Sequence, residues 1–517
     1  MGVMRYLALI CWGVAKMVNG FAILRNYTRP LLRNSSVFWN NVGDEEVARK
    51  CDKAESQLRL YIYPIPAGAA RANTESSILA HFMLEVGFFR YLLKQQKHVT
   101  VTNDPSNANA FFIEHHMIHL SAQSGVGDRG CADIEQHLRL IVDNVIIAQP
   151  YYNRSGGRDH FFFSVYDHGP FCEHVCQGDK THSASITNTL ERLSGLNFIG
   201  NFGMDDAKGD KGYHQSWSHK GTLCHRIGQD IVIPQIINHQ LLQFRKRFPY
   251  TGVLERPFDS SFAGSYWGER APMLGDMAKY RIVDYHVNKT ENFFFDITGG
   301  SADVTITQKS LYMYHVCGYA CWSNRLFHAM GVSTVPLIVS TGVVQAFERF
   351  IDWRKISTKM SLETWKSPTK RTAWRAKHIR THVDKYHAAL DDFYTSWGLE
   401  ALSDPKFQSF GTSANPIPDI EHVLSMYDNE YRMDKKENNT AFLLLAQTNI
   451  WQKKIHMEQA IRWFDFSLNL DEFASNRINA YRLLFFEIWC RVGPRQEVQA
   501  EFFCNNNASH IARIEYE

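Results

Sequence analysis

Apolar residues along the chain switch between a spacing of two and a spacing of three to four, the signature of strands alternating with helices. LRLYIYPIP at 58–66 alternates and stops at prolines, which predicts a strand and turn. In 77–95, Ile78, Phe82, Glu85, Val86, Phe89 and Leu92 fall at helical spacing, and AFFIEHHMI at 110–118 reads as the next strand. HFFFSVYDHGP at 160–170 and QDIVIPQ at 229–235 are two further apolar strands that end in polar residues. A second set opens near Pro257. SSFAGSYWG at 260–268 is strand and glycine-rich loop, 270–281 is helix-like, and RIVDYHV at 281–287 is a strand. SNRLFHAMGV then reads as helix and TVPLIVS at 334–340 as strand. Strands alternating with helices imply parallel sheets covered on both faces, so the expected class is α/β with two Rossmann-like halves and a cleft between them.

The flanks differ. Residues 6–24, nineteen in all, are apolar apart from Lys16 and are followed by Arg25, Arg29 and Arg33. A lysine inside a spanning helix costs about 2.5–3.5 kcal/mol, so the segment reads as either a type II signal anchor or a cleaved signal peptide. Residues 25–55 are polar and irregular and read as a stem. From 362 to 397 the pattern is helical and basic, and 439–504 is aromatic-rich and helical. The organisation expected is therefore 1–24 anchor or signal, 25–55 stem, 56–250 first Rossmann-like domain, 251–400 second, and 401–517 helical extension.

Composition narrows the functional classes. With 517 residues and 44% hydrophobic content the chain has material for two or three packed units. Fifty-six Lys and Arg against 53 Asp and Glu leave +3, too little excess for a nucleic-acid binder. The 23 histidines would make the protein more basic in a mildly acidic lumen. Sequons at Asn26, Asn34, Asn153, Asn288, Asn438 and Asn507 suit secretory entry. Ten cysteines become nine once Cys11 in the apolar segment is set aside, so at least one thiol has no partner within the chain. The pairs Cys172/Cys176 and Cys317/Cys321 read as local disulfides or buried thiols, not metal sites.

Common catalytic signatures are missing. No GxGxxG directly follows a strand, and GxxxxGK[ST], GxSxG and HExxH do not occur. Glu114, His115, His116 and His119 imitate a metal cluster, but the reading preferred is a polar strand-end loop facing the cleft. There is no Asp-X-Asp triplet, which argues against a diphosphate held by a carboxylate-bound metal. No metal site is expected.

Taken together, several strings resemble the exostosin family, glycosyltransferase family 47. LRLYIYPIP is similar to its opening "IYVYDLP", and TNDPSNANAFFI at 102–113 to "T.DP..AD.FFVP". YYNRSGGRDHFFFSVYDHGPF at 151–171 is the most specific match, to "YWNRSGG.DHF....HDWGP". QDIVIPQ, SFAGSYWGER, and 310–340 with 346–357 continue the resemblance in order. It implies a GT-B fold, two Rossmann-like domains facing a cleft with extra carboxy-terminal helices. It further implies an inverting mechanism, a nucleotide-sugar donor such as a UDP-sugar on the second domain, and a glycan or glycoprotein acceptor on the first. Golgi membrane localisation, a membrane contact through the amino-terminal segment and assembly into a glycosyltransferase complex belong to the same expectation, with the ER lumen or secretion as the alternative. No cofactor beyond the donor substrate is called for.

Inverting transfer needs a base for the acceptor hydroxyl and positive or dipolar groups for the departing diphosphate. Without a metal, Arg270 and Arg325, the latter opening a helix beside Gly318, are the candidates for the second task. Asp167, at the carboxyl end of the 160–170 strand, is the candidate base, and His160 at its start is the rival, with Asp159 before it. A strand of seven residues is about 20 Å long, so a continuous strand prevents both from touching one atom. Gly156 and Gly157 are read as turn residues. Where the family carries an acid for the donor ribose this chain has His328, which brings in the alternative of a catalytically silent, glycan-binding or partner-stabilising member. A glycosidase is not supported, since no pair of carboxyls is evident across one cleft.

Overall fold

The computed structural model describes residues 44–66, 83–94, 99–117, 120, 128–164, 182–201, 203–204, 225–226, 228–235, 256, 258–263, 293–296, 304–316, 324–339, 343–361, 364, 367–375, 453, 456–457, 460, 463–464, 478–501 and 504. The helices are α1 (Asp44–Gln57), α2 (Leu84–Lys94), α3 (Asp128–Ile141), α4 (Pro150–Ser155), α5 (Ser183–Glu191), α6 (Val304–Gln308), α7 (Asn324–Gly331), α8 (Pro368–Arg375), α9 (Ala480–Val492) and α10 (Arg495–Ala500). The strands are β1 (Arg59–Tyr63), β2 (Thr100–Val101), β3 (Ala110–Ile113), β4 (His160–Phe163), β5 (Asn197–Gly200), β6 (Gly203–Met204), β7 (Ile231–Val232), β8 (Phe258–Ala263), β9 (Phe293–Asp296), β10 (Ser310–Val316), β11 (Val335–Val339), β12 (Val343–Val344) and β13 (Thr358–Met360).

Two parallel sheets result. The first has the order β2-β1-β3-β4-β5-β7 and the second β13-β11-β10-β8-β9, every neighbouring pair running parallel. In the first sheet Tyr61 pairs with Phe111 and Phe111 with His160, so alternate residues from three strands share a face. Tyr63, Phe111, Ile113, Phe162 and Phe198 pack on that face against Leu138 and Ile141 of α3 and Ile186 and Leu190 of α5. The opposite face offers Phe112 and Phe163 to Phe88 of α2, with ring centroids 5.0 Å away in each case. Burying a phenylalanine of this kind contributes about 1.5–3 kcal/mol.

Two segments depart from the sequence expectation. Residues 44–57 fall mostly within the stretch read as irregular stem, yet they form α1, because Val47, Ala48, Cys51 and Ala54 supply a buried stripe at helical spacing between charged positions. Strand β10 was not anticipated as an element. All seven of its residues are buried between β8 and β11, and a strand covered on both faces has no alternation to read. The strand expected at 281–287 and the helix at 270–281 lie outside the described residues, as do 1–43, Cys172, Cys176, Cys317 and Cys321.

Helix α9 is buried from Ala480 to Cys490 and bridges the first sheet's layer to the segment after β12. Tyr481 stacks on Tyr91 of α2 at 4.4 Å, and Phe486 meets Phe350 at 5.3 Å. Its buried Arg482 donates to both carboxylate oxygens of Glu55 at 2.9 and 3.0 Å and also to Asp52. Arg491 donates to the carbonyl oxygens of Gln229 and Asp230, just before β7. Beyond α9, Lys50 and Lys53 of α1 pair with Glu501 and Glu497, each at 2.7 Å, and Cys490 is disulfide-bonded to Cys504. Cys51 is a buried free thiol. Among the described residues no helix is long and apolar enough to cross a membrane.

Candidate functional site

In an open parallel sheet, ligands bind beyond the carboxyl ends of the strands, where the strand order reverses. The order of the first sheet reverses between β1 and β3, and that of the second between β8 and β10. A two-stranded antiparallel ribbon connects the sheets: Val343 of β12 pairs with Met204 of β6. Strand β6 starts three residues after the carboxyl end of β5, and β12 four residues after that of β11, so the ribbon brings those two edges together. The Phe347 amide reinforces the junction by donating to the Val232 carbonyl, at the end of β7, at 2.9 Å. Two buried carboxamides, Gln235 after β7 and Gln345 after β12, flank it, and neither polar side-chain atom of Gln235 is hydrogen-bonded.

Arg325 is brought to the second reversal point. It stands in the first turn of α7, the helix crossing from β10 to β11, and its guanidinium lies over the Phe262 ring of β8 at 5.0 Å. Burial pushes its pKa down to about 10, so it stays a cation at neutral pH. His328, one turn further along α7, is half-buried on the same helix. Arg270 and Gly318 lie outside the described residues, as does Asp167.

At the first sheet the geometry separates His160, with Asp159 before it, from the carboxyl edge. His160 is fully buried at the amino end of β4. Its Nδ1 lies 2.6 Å from Asp159 Oδ1 and its Nε2 2.8 Å from the Tyr63 hydroxyl, while the ring stacks on Phe111 at 4.7 Å. Both ring nitrogens are hydrogen-bonded inside the protein, which ties β4 to β1 and to the turn before it. Asp159 also accepts from Ser155 and, at 3.3 Å, from Arg154; these partners and His160 outweigh the burial penalty and hold its carboxyl below the usual range. Gly156 and Gly157 serve the turn as expected, with φ of +64° and +84°.

The polar group at the first reversal point is the turn after β3. Buried Glu85 of α2 accepts from the backbone N–H groups of His115 at 2.8 Å and His116 at 3.0 Å through one oxygen. Its other oxygen lies 3.8 Å from His116 Nδ1, and His116 Nε2 is 2.8 Å from Glu114 Oε1. Burial raises Glu85 to about 7 against the opposing pull of His116 and the two amides. Burial also depresses His116, but the Glu114 hydrogen bond and the Glu85 charge prevail and its pKa is raised. His115 accepts the Met117 N–H at Nδ1, so its Nε2–H donates to the Phe163 carbonyl at 2.8 Å and the ring is neutral. Among the described residues no group of three or more His, Cys, Asp or Glu could hold a metal ion.

The profile of the Exostosin GT47 domain matches residues 54–372, more than half of the chain. The chain belongs to the exostosin GT47 family. Similar proteins include "Probable glucuronosyltransferase" of Oryza sativa subsp. japonica, 23% identical over 60% of this chain and 69% of that protein. Another is "Probable beta-1,4-xylosyltransferase IRX10" of Arabidopsis thaliana, 22% identical over 59% and 68% respectively. A third, "Probable glucuronoxylan glucuronosyltransferase IRX7" of the same plant, is 20% identical over 65% and 72%. Within the exostosin GT47 span, sequence reasoning placed Arg325 at a helix start, and the structure has it in the first turn of α7. The arrangement joining Glu85 to Glu114 and His116 was missed: Glu85 is 30 residues from His115, and its place in a helical stripe disguised it as core.

Proposed function

We propose that this chain is an inverting glycosyltransferase of GT-B arrangement that moves a sugar from a nucleotide-sugar donor to a glycan or glycoprotein acceptor. The observation carrying this reading is Arg325 in the first turn of α7, at the reversal point of the second sheet. A guanidinium and a helix amino terminus together form an anion site suited to a diphosphate. The junction of the two carboxyl edges supports a cleft between the sheets, with the acceptor on the first and the donor on the second. In the reaction the acceptor oxygen attacks the anomeric carbon as the bond to the diphosphate breaks. Asp167 takes the hydroxyl proton, and Arg325 with Arg270 balances the charge on the leaving group. The names of the relatives favour a UDP-activated uronic acid or pentose as donor. The Cys490–Cys504 disulfide and the sequons favour a secretory lumen, for which the Golgi, with residues 6–24 as type II anchor, is the reading we adopt.

Screening nucleotide sugars for binding and hydrolysis by the full chain tests this. Binding of at least one UDP-sugar, unaltered by chelator, is expected. Arg325→Ala should weaken it by about 1.5–3 kcal/mol, the cost of one charge-assisted contact. Binding that disappears with chelator and returns with manganese would defeat the metal-free assignment. A second reading, a silent subunit, draws on His328 in place of the family's acid. A donor that binds without turning over, with turnover gained in His328→Asp, would select it.

A further inference from the structure

We propose that the turn after β3 is an acceptor subsite in which the Glu114 carboxylate binds hydroxyl groups of an uncharged sugar, with His116 and Glu85 as its positioning residues. This rests on the glycosyltransferase reading and adds to it the class of sugar accepted. The place is defined by topology: β3 and β1 form the reversal point of the first sheet, and Glu114 is the first residue beyond β3.

The turn is built at a cost. His116 has φ of +48°, a left-handed conformation that non-glycine residues adopt only where the surroundings impose it. Glu85 imposes it by receiving two consecutive amides on one oxygen. Strain held in place by a fully buried carboxyl, at the position where such sheets bind ligands, is the mark of a site kept for its geometry. Its outcome is a Glu114 side chain 38% exposed, with one oxygen fixed by His116 and the second receiving no hydrogen bond from the described residues. A fixed carboxylate oxygen is a strong acceptor for sugar hydroxyls.

The surrounding charges set the specificity. Glu85 and His116 face Glu114 from α2 and from the turn; His115 is neutral and committed to Phe163, and His137 of α3 donates Nε2–H to the His115 carbonyl at 2.8 Å, its pKa lowered by burial. His116 is therefore the one of these groups whose surroundings favour the cation, and it is already paired. A uronate or sulfated sugar would bring a second anion beside Glu114 with none of these groups left to balance it.

The test uses the full chain on immobilised neutral oligosaccharides and their uronate- or sulfate-bearing counterparts, with UDP-sugar binding measured in parallel. Wild-type protein should favour the neutral glycans by tenfold or more, and Glu114→Gln should lose about tenfold of that binding while retaining its melting temperature and donor affinity. Glu85→Gln, whose amide oxygen still accepts both backbone N–H groups, should keep glycan binding within about threefold, whereas Glu85→Leu should lose it. Equal glycan binding by Glu114→Gln, a wild-type preference for acidic glycans, or no wild-type glycan binding overturns the subsite. If UDP-sugar binding is intact in those cases, this proposal falls alone; if it is also absent, the glycosyltransferase reading falls with it.

Discussion

Asp159, His160 and Asp167 lie within nine positions, and only the register of β4 shows that His160 belongs to the buried layer. His160→Ala should cost about 2–4 kcal/mol, since it opens a cavity and strips the partners from Tyr63 and Asp159. A lowered melting temperature with unchanged donor affinity is the outcome expected. Asp167→Asn should instead lower turnover by about 100-fold or more with stability intact, as loss of a general base does. Reversed results would exchange the two roles. Glu85 gives a prediction of a different kind. Its folded pKa, about 7, stands above the ordinary carboxyl value of 4.5, so the folded state holds a proton that the unfolded state releases. Its contribution is fully present below about pH 4.5, declines as pH rises toward 7, and is level beyond. The raised pKa of His116 acts in the same direction. Burial lowers His137 and His456, which act the other way, so the slope contributed by Glu85 is read as a difference: from pH 8 to pH 5 the wild type should gain up to about 3 kcal/mol more stability than Glu85→Gln. Glu85→Gln should flatten that slope, and an unchanged slope would locate the pH dependence elsewhere.

Among the elements, those with one exposed edge of pattern were the readable ones. The proline stop after β1, the apolar stripe of α2 and the turn glycines before β4 all carry local signals. The centre of the second sheet carries none, because β10 is buried throughout and its neighbours are far away in sequence. The glycine turn shows how much a local signal leaves unsaid. Its residues are readable as a turn, but the reason for two glycines is distant. A Cβ on Gly157 would come within 2.9 Å of the backbone of Gly195 and Leu196, whereas one on Gly156 would meet nothing within 4 Å. Gly156→Ala should therefore cost about 1–2 kcal/mol, the left-handed penalty alone. Gly157→Ala should cost clearly more, read from denaturant midpoints, since the backbone it strikes has no rotamer to yield. Equal costs would mean that the two turns slide apart freely.

For the molecule as a whole, alternating strands and helices announced two α/β halves, while nothing local announced that α9 would return to the first of them. That return depends on pairs separated by more than 400 residues, such as Arg482 with Glu55. Arg482→Met should lower stability by about 3–5 kcal/mol, because Glu55 would stay charged in the interior without its partner. Adding Glu55→Gln should restore part of the loss, and no restoration would show that packing, not charge, is what Arg482 provides. The same clasp has a topological consequence. Lys50 and Lys53 near the start of the described chain touch Glu501 and Glu497 near its end, so the folded body closes into a ring with its seam between α1 and α10. A circularly permuted chain, joined across that seam and cut open at a surface loop elsewhere, should keep the described pairing of α1 with α9 and α10 and melt close to the original.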